Sequence, residues 1–461
     1  MDALTESILP FAGILIGLIV IHEAGHYFTA KLFGIKVLEA GLGYPPRVWG
    51  FKWRETEYTI NALPLGGFVR LLGEENPEDP DSLAARPKWQ RTIVLASGAF
   101  MNFVLAIALF SVALMIPRDV SAGGATIADV LPDSPAAAAG LQPGDEIVEI
   151  NGREAKNRED ASYLVRLYQG SDIDFLVKRT VDPRIGPELV EVKDVYARWN
   201  PPANVDDCGV TLGKQGPTGI SLSTRYGQSV PLSAADRAEL EGGLRKGLQE
   251  YRSKLPPGSP ARCSDGTAFG FVPIRALVCD DYDAERQAAA RALKVELFPN
   301  AEAPCYEFDP PPDFVPFVVT RSEPPWEAIP DGTRLSFESL VIARNQVWSW
   351  IRGYASPEFA GPVGIAQATG QVVEEAGWKS LVDFAALLSM NLAILNILPI
   401  PMFDGGRLFF ILIEFLRGGR RIAPQKEAIV HLVGLAMILT FAGVITYFDI
   451  VRLIDGGSLL R

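Results

Sequence analysis

The sequence predicts a polytopic α-helical membrane protein of about four transmembrane helices with a membrane-associated β-hairpin, carrying an extracytoplasmic α/β domain with an insertion. Three observations predict it. Hydrophobic residues make up 48% of the 461-residue chain, and mean hydropathy is +0.15, high for a soluble chain of this size. The excess is concentrated in four stretches, 8–32, 92–116, 381–415 and 428–450. Each is long enough for the roughly 20 apolar residues that a bilayer crossing needs. Between the second and third stretches, residues 121–380 read as ordinary aqueous sequence.

Orientation follows from the basic residues. Residues 1–10 contain Asp2 and Glu6 but no Lys or Arg, so they lack the positive start of a cleaved signal peptide. Eight Lys or Arg fall within residues 33–91, and Arg417, Arg420, Arg421 and Lys426 lie between the last two stretches. From 117 to 152 the only basic residue is Arg118. Basic loops stay in the cytoplasm, which puts the inserted domain and both termini on the other side of a plasma membrane. A net charge of −12 without a basic patch argues against nucleic acid as a partner. The four cysteines (Cys208, Cys263, Cys279, Cys305) all fall in the inserted domain. That allows up to two disulfides in three pairings, and their spacing fits no zinc knuckle.

The elements then follow in order. Residues 1–120 hold the first two spans. Between these, 37–72 is rich in Gly, Pro, aromatic and β-branched residues and reads as strands at 53–60 and near 67–71, joined by 61–66. Residues 121–223 form a small α/β domain. Thr126 opens a strand, Ser134-Pro135 opens a helix as cap and first residue, and Gly140 closes it. Strands at 146–150 and 172–178 flank a helix at 158–168, and 195–223 supplies the last strands. Residues 224–334 are an insertion with a helix at 234–255 and a Pro-rich exit. Residues 335–380 begin with an amphipathic helix at 335–354, whose Trp348 and Trp350 suit the membrane surface. Residues 381–461 hold the last two spans.

Histidine scarcity points to the chemistry. Of three histidines, two form His22-Glu23-Ala24-Gly25-His26. Positions i and i+4 share a helix face, so both imidazoles can hold Zn²⁺ at about 2.0–2.1 Å while Glu23 reaches the water. The pattern ends an apolar span, where ionisable groups are costly and functional. A catalytic zinc usually takes three protein ligands. Polar residues at membrane depth elsewhere are Asp383, Asn391, Asn396, Asp404, Glu414 and His431. Pro399, Pro401 and Gly405-Gly406 break the third span at Asp404, and irregular backbone at that depth must be buried in protein or face a cavity. Asp404 is therefore the expected third ligand. The plainer reading makes it the N-cap of a half-helix at 407–415, and His431, without a partner motif, reads as structural.

With these residues in place, the chain resembles the site-2 protease family. The HExxH pattern at His22–His26 and an N-x-x-P-x-P-x-x-D-G segment (Asn396, Pro399, Pro401, Asp404, Gly405) are in register with it. Gly66-Gly67 resembles the family's membrane-associated β-hairpin, the run from Ser97 to Phe103 its second-span motif, and Gly361-Pro362-Val363-Gly364 the approach to its third. Residues 134–152 resemble PDZ domains of bacterial membrane proteases. The likeness covers 8–223 and 335–450, while Ala99 stands where Pro is usual and Phe403 where Leu is common.

The resemblance implies a bacterial inner-membrane zinc endopeptidase with Zn²⁺ on His22, His26 and Asp404, and Glu23 as acid and base. Asn391 and Asn396 would hold an unwound substrate backbone, and the strand at Gly66-Gly67 would pair with it. Its partners would be single-span membrane proteins, such as anti-sigma factors or signal-peptide remnants, already shortened by an upstream site-1-type protease, within the lipid bilayer. A membrane zinc transporter or a catalytically silent PDZ scaffold are the alternatives. Glu23 between the ligands and the intact catalytic positions weigh against both.

Overall fold

A computed structural model of the chain describes residues 7–74, 78–121, 123–182, 186–205, 211–224, 274–276, 306–308, 318–355 and 361–454. All four cysteines and the expected helix at 234–255 lie outside the described residues. The chain divides into two compact units, one of Met1–Arg118, Ser322–Leu340 and Pro357–Arg461, the other of Asp119–Arg321 and Val341–Ser356.

Helix α1 spans Leu9–Leu32 and buries Leu18, His22, Gly25, His26 and Ala30. That three-and-four spacing is a single stripe. Much of the rest of the helix is apolar, with Phe28 and Leu32 65% and 77% exposed, which suits lipid. Helix α2 (Lys88–Met115) runs against that stripe. An added Cβ on Gly25 would lie 2.4 Å from the Ser97 carbonyl oxygen, so this glycine sets how closely the two helices approach.

Between them, β1 (Val37–Trp53) and β2 (Thr56–Leu71) form one sheet. The turn falls at Arg54-Glu55, rather than at 61–66 as the sequence reading placed it. Residues 61–66 stay in β2, where Gly66, at φ 130, bends the strand without reversing it. Both halves of β2 meet the first part of β1. Residues 56–60 pair with 49–53 and, from 57 on, with 39–42, while residues 67–71 pair with 37–42. A glycine and a proline inside a strand thus marked a bend, one of the two meanings they carry.

In the second unit β3 (Arg118–Ser121) leads to β4 (Ala125–Val130), α3 (Pro135–Ala139), β5 (Glu146–Ile150), β6 (Arg153–Glu154) and α4 (Arg158–Leu167). Then come β7 (Asp172–Asp182), β8 (Gly186–Tyr196), β9 (Ala203–Val205), β10 (Thr211–Lys214) and β11 (Ile220–Thr224). The main sheet runs β11-β4-β5-β7-β8, with β6 on β5. Ile127, Ile147, Ile150, Ile173, Phe175 and Val177 pack beneath α3 and α4 as its core. Ser134 caps α3 by accepting the Ala137 N–H at 3.1 Å, and Gly140 closes it at φ 89. Asn157 caps α4 on the Asp160 N–H. Asp145, 1% exposed, is held by Arg179 through bonds of 2.6 and 2.7 Å.

Strand β8 escaped the sequence reading. Its two buried residues, Val192 and Val195, are three apart because Asp194 takes φ 58 between them, which hides the alternation that marks a strand. Short pairs β12 (Ile274–Ala276) with β13 (Tyr306–Phe308), and β14 (Val318–Arg321), are described beyond it.

Helix α5 spans Pro325–Ile351, beginning ten residues before the expected 335. The Pro-rich exit was read as loop, but proline is well suited to a first helical position, where no N–H is needed. Helix α6 (Pro362–Ala376), not foreseen, has its first turn held by Asp449, which accepts the Gly361 and Gly364 N–H groups at 2.9 and 2.8 Å. A 3-10 turn (Trp378–Ser380) precedes α7 (Leu381–Ile397), α8 (Asp404–Leu416) and α9 (Pro424–Ile454). Ala386 and Met390 of α7 meet Ala106 and Phe110 of α2, with Leu335 and Leu340 of α5 alongside. Four helices among the described residues are long and apolar enough to cross a membrane: Leu9–Leu32, Lys88–Met115, Trp378–Ile397 and Pro424–Arg452.

Candidate metal centre

Two helices of the first unit, α1 and α8, bring three polar residues to one point. Nε2 of His22 lies 3.0 Å from Oδ2 of Asp404, Nε2 of His26 lies 3.2 Å from the same oxygen, and the two Nε2 atoms are 3.2 Å apart. Ligand atoms at about 2.0–2.1 Å around a tetrahedral zinc stand about 3.3 Å from one another. The donor set therefore fits zinc in type and spacing. Both histidines are 8% exposed.

Local structure places each donor. His22 and His26 sit one turn apart on the buried stripe of α1. Asp404 is the first residue of α8, with Phe403 in the N-cap position and no side-chain cap. The Asp404 carboxylate is thus turned to the histidines and not to its own helix. Close backbone permits this, since an added Cβ on Gly405 would lie 2.0 Å from the Leu398 carbonyl oxygen. Gly98 of α2 leaves the space at the ring tips, because a Cβ there would stand 2.3 and 2.5 Å from the two Nε2 atoms.

The far nitrogens are also held. Nδ1 of His26 donates to the Val94 carbonyl at 2.8 Å, which leaves an Nε2 lone pair for a metal. Nδ2 of Asn102, fully buried, lies 3.2 Å from Nδ1 of His22, and its Oδ1 has no hydrogen-bond partner among the described residues. Rotating an amide by half a turn exchanges its oxygen and nitrogen. With Oδ1 toward the ring it accepts Nδ1–H, and Nε2 of His22 again faces the metal position. Asn102 and the Val94 carbonyl were not singled out as functional from sequence. The signal available was a buried amide four residues after Gly98, within the second-span motif.

Glu23 lies beside the cluster. The Val69 N–H of β2 hydrogen-bonds its carboxylate. Gly67 comes close as well, its added Cβ falling 3.3 Å from Cγ of Glu23. Gly66 is the bend just before it. Asn396 is buried and its amide donates to the Leu392 carbonyl at 3.0 Å. Asn391 lies on an exposed part of α7, about 140° around the helix from Asn396, so the two amides are not brought together.

The other polar residues considered as ligands stand elsewhere. Glu414 pairs with Arg91 at 2.7 Å, Asp383 with Arg118 at 3.8 Å, and Nδ1 of His431 accepts the Met402 N–H. Among the described residues one group of His, Cys, Asp or Glu side chains has metal-binding spacing: His22, His26 and Asp404.

Comparison with known proteins agrees on the chemistry. A sequence model of peptidase family M50 matches residues 10–441. A Thermotoga maritima protein named "Putative zinc metalloprotease" is 27% identical, over 97% of this chain and 99% of the relative. A Ralstonia nicotianae protein of the same description is 30% identical, over 97% and 98%. One from Clostridium perfringens is 27% identical, over 94% and 95%. With its four apolar helices and zinc as cofactor, the chain belongs to peptidase family M50, the site-2 protease family of membrane zinc metalloproteases.

Proposed function

We propose that the chain is an intramembrane endopeptidase that cleaves membrane-spanning segments of single-span proteins. The observation that carries this is the meeting of His22, His26 and Asp404 on helices read as membrane spans, with Glu23 beside them. His22 and His26 through Nε2, and Asp404 through Oδ2, would hold the zinc. Zinc, when bound, supplies Lewis acidity that activates water and polarises a scissile carbonyl. Glu23 takes the proton of the attacking water and passes it to the leaving amide nitrogen. Val69 N–H and the neighbouring imidazoles orient that carboxylate for the task.

A helical substrate hides its carbonyls in its own hydrogen bonds and must unwind before attack. The strand after Gly66-Gly67 runs next to Glu23 and is suited to pair with an unwound backbone. Asn396 is a second backbone contact in this reading. Asn391, on the other side of α7, would meet only substrate passing along that face.

His22 lies about 21 Å along α1 from Ile8 at 1.5 Å per residue. With the basic loops inside, cleavage falls near the cytoplasmic face of a bacterial inner membrane. The sheet unit acts as an extracytoplasmic PDZ domain. It admits substrates that an upstream protease has already shortened, the second cut of regulated intramembrane proteolysis.

The test is to express Glu23→Gln beside wild type in the native membrane and identify small membrane-spanning fragments. Fragments that accumulate only with the mutant support the reading and name the substrates. No accumulation, with zinc bound to both forms, would sink it.

A further inference from the structure

His431 is the third histidine of the chain and takes no part in the donor set. It lies on α9, whose surroundings there are open, with Val430, Leu432 and Val433 at 40%, 65% and 53% exposure. The His431 side chain is turned inward, at 14%. Its Nδ1 accepts the backbone N–H of Met402 at 3.0 Å. Met402 has φ 85, a conformation that side-chain-bearing residues hold only where the surroundings impose it. It stands two residues before Asp404.

Two further contacts fix the same loop. Gly434 lies three residues on from His431, on the same face of α9. An added Cβ there would fall 2.4 Å from Cβ of Pro401 and 3.0 Å from its carbonyl carbon and oxygen. The ring of Phe410, on α8, sits 5.6 Å from the His431 ring, centroid to centroid. The imidazole is thereby held between the helix that Asp404 begins and the loop that precedes it. A polar ring on a lipid-exposed helix is costly; its Nε2 lies 4.0 Å from a carboxylate oxygen of Glu427 on the same helix. What it adds is an acceptor for the one N–H of that strained residue.

We propose that His431 is a positioning residue for Asp404: by holding the Met402 peptide at positive φ, it sets the Asp404 carboxylate at ligand distance from His22 and His26. The proposal rests on the reading of Asp404 as a zinc ligand, and the test separates the two.

Zinc affinity would be measured on the purified full-length protein by competition with a chromophoric chelator. Thermal unfolding of the zinc-free protein would be followed in parallel. The variants are Asp404→Ala, His431→Leu, His431→Asn and Gly434→Ala. Asn places its amide oxygen where Nδ1 stands and keeps the acceptor. Expected is a loss of more than about 100-fold for Asp404→Ala and about 10- to 100-fold for His431→Leu and Gly434→Ala, as for residues that orient metal ligands. His431→Asn should return to within about threefold of wild type, with zinc-free unfolding alike in the Leu and Asn variants. Wild-type affinity in His431→Leu beside weak binding in Asp404→Ala overturns the positioning role alone. A loss that His431→Asn does not restore, matched by earlier unfolding of the zinc-free protein, also overturns it. Wild-type affinity in Asp404→Ala overturns the ligand reading beneath it.

Discussion

Nε2 of His26 and Oδ2 of Asp404 lie 3.2 Å apart although 378 positions separate them in the chain. Between them the chain leaves the membrane unit twice, for the sheet-unit segments Asp119–Arg321 and Val341–Ser356, and returns each time. Neither residue is a ligand by itself. The site exists only when α1 and the first turn of α8 share one neighbourhood, with Gly98 of α2 leaving room for the donors.

Removing a donor should therefore separate from removing the base. His26→Ala is expected to lose zinc affinity by more than about 100-fold, beyond what orienting residues contribute, and peptidase activity with it. Glu23→Gln should keep zinc and lose about 10²- to 10⁴-fold in kcat, the range of one acid–base group. Metal content of the purified variants beside single-turnover cleavage distinguishes them. Zinc loss in Glu23→Gln would recast Glu23 as a ligand.

Gly98→Ala tests the space at the ring tips. In a helix interior alanine is intrinsically better than glycine by about 0.8–1 kcal/mol, so propensity alone predicts a more stable variant. The new Cβ, however, would stand 2.3 Å from Nε2 of His26 and 2.5 Å from Nε2 of His22. We expect zinc-free unfolding to be little changed and zinc affinity to fall by about 100-fold or more. A variant that binds zinc normally would show that α2 can withdraw without disturbing the donors.

With its amide oxygen toward His22, Asn102 would accept the Nδ1–H of the tautomer that leaves Nε2 to a metal. Asn102→Leu removes the acceptor for Nδ1–H and should weaken zinc by about 10- to 100-fold. Asn102→Asp keeps an acceptor, in the carboxylate–histidine arrangement common at zinc sites, and should stay near wild type. Equal losses in both would mean that the amide fills space and does not fix the ring.

How far all this was legible in the sequence depends on the kind of signal. His22, Glu23 and His26 needed only helix periodicity within an apolar span. Asp404 needed one tertiary inference, that Pro399, Pro401 and the paired glycines break the span beside the two histidines. The structure starts α8 at Asp404 itself, with Leu398 extended before the loop. Caps were equally plain, since Ser134 and Gly140 act through neighbours within one turn.

Long-range partners were not legible. Asn102 and His431 look like stray polar residues until α2 and α9 are packed, because hydrogen bonds across 80 and 29 positions leave no local pattern. Strand β8 was lost to the irregular spacing around Asp194. The turn at Arg54-Glu55 carries no glycine or proline, whereas the bend at 61–66 carries both. Turn chemistry therefore pointed to the wrong place.

The last prediction concerns a buried ion pair away from the zinc. Glu414 of α8 is 5% exposed and bonds Arg91 of α2 at 2.7 Å, with Arg421 at 3.4 Å. The pair joins the start of α2 to the helix that Asp404 begins. Its net contribution is small, because desolvation of two charges offsets their attraction. Breaking it is not symmetrical with removing it. Arg91→Leu leaves a buried carboxylate whose remaining partner, Arg421, is more distant and more exposed, and should destabilise by about 3 kcal/mol. Arg91→Leu with Glu414→Leu removes both charges and should cost far less, about 1 kcal/mol or below. Chemical unfolding of the two variants in one detergent decides it. If the double variant is as unstable as the single, the pair holds α2 and α8 together by its bond, and the burden of an unpaired charge is not what Arg91 relieves.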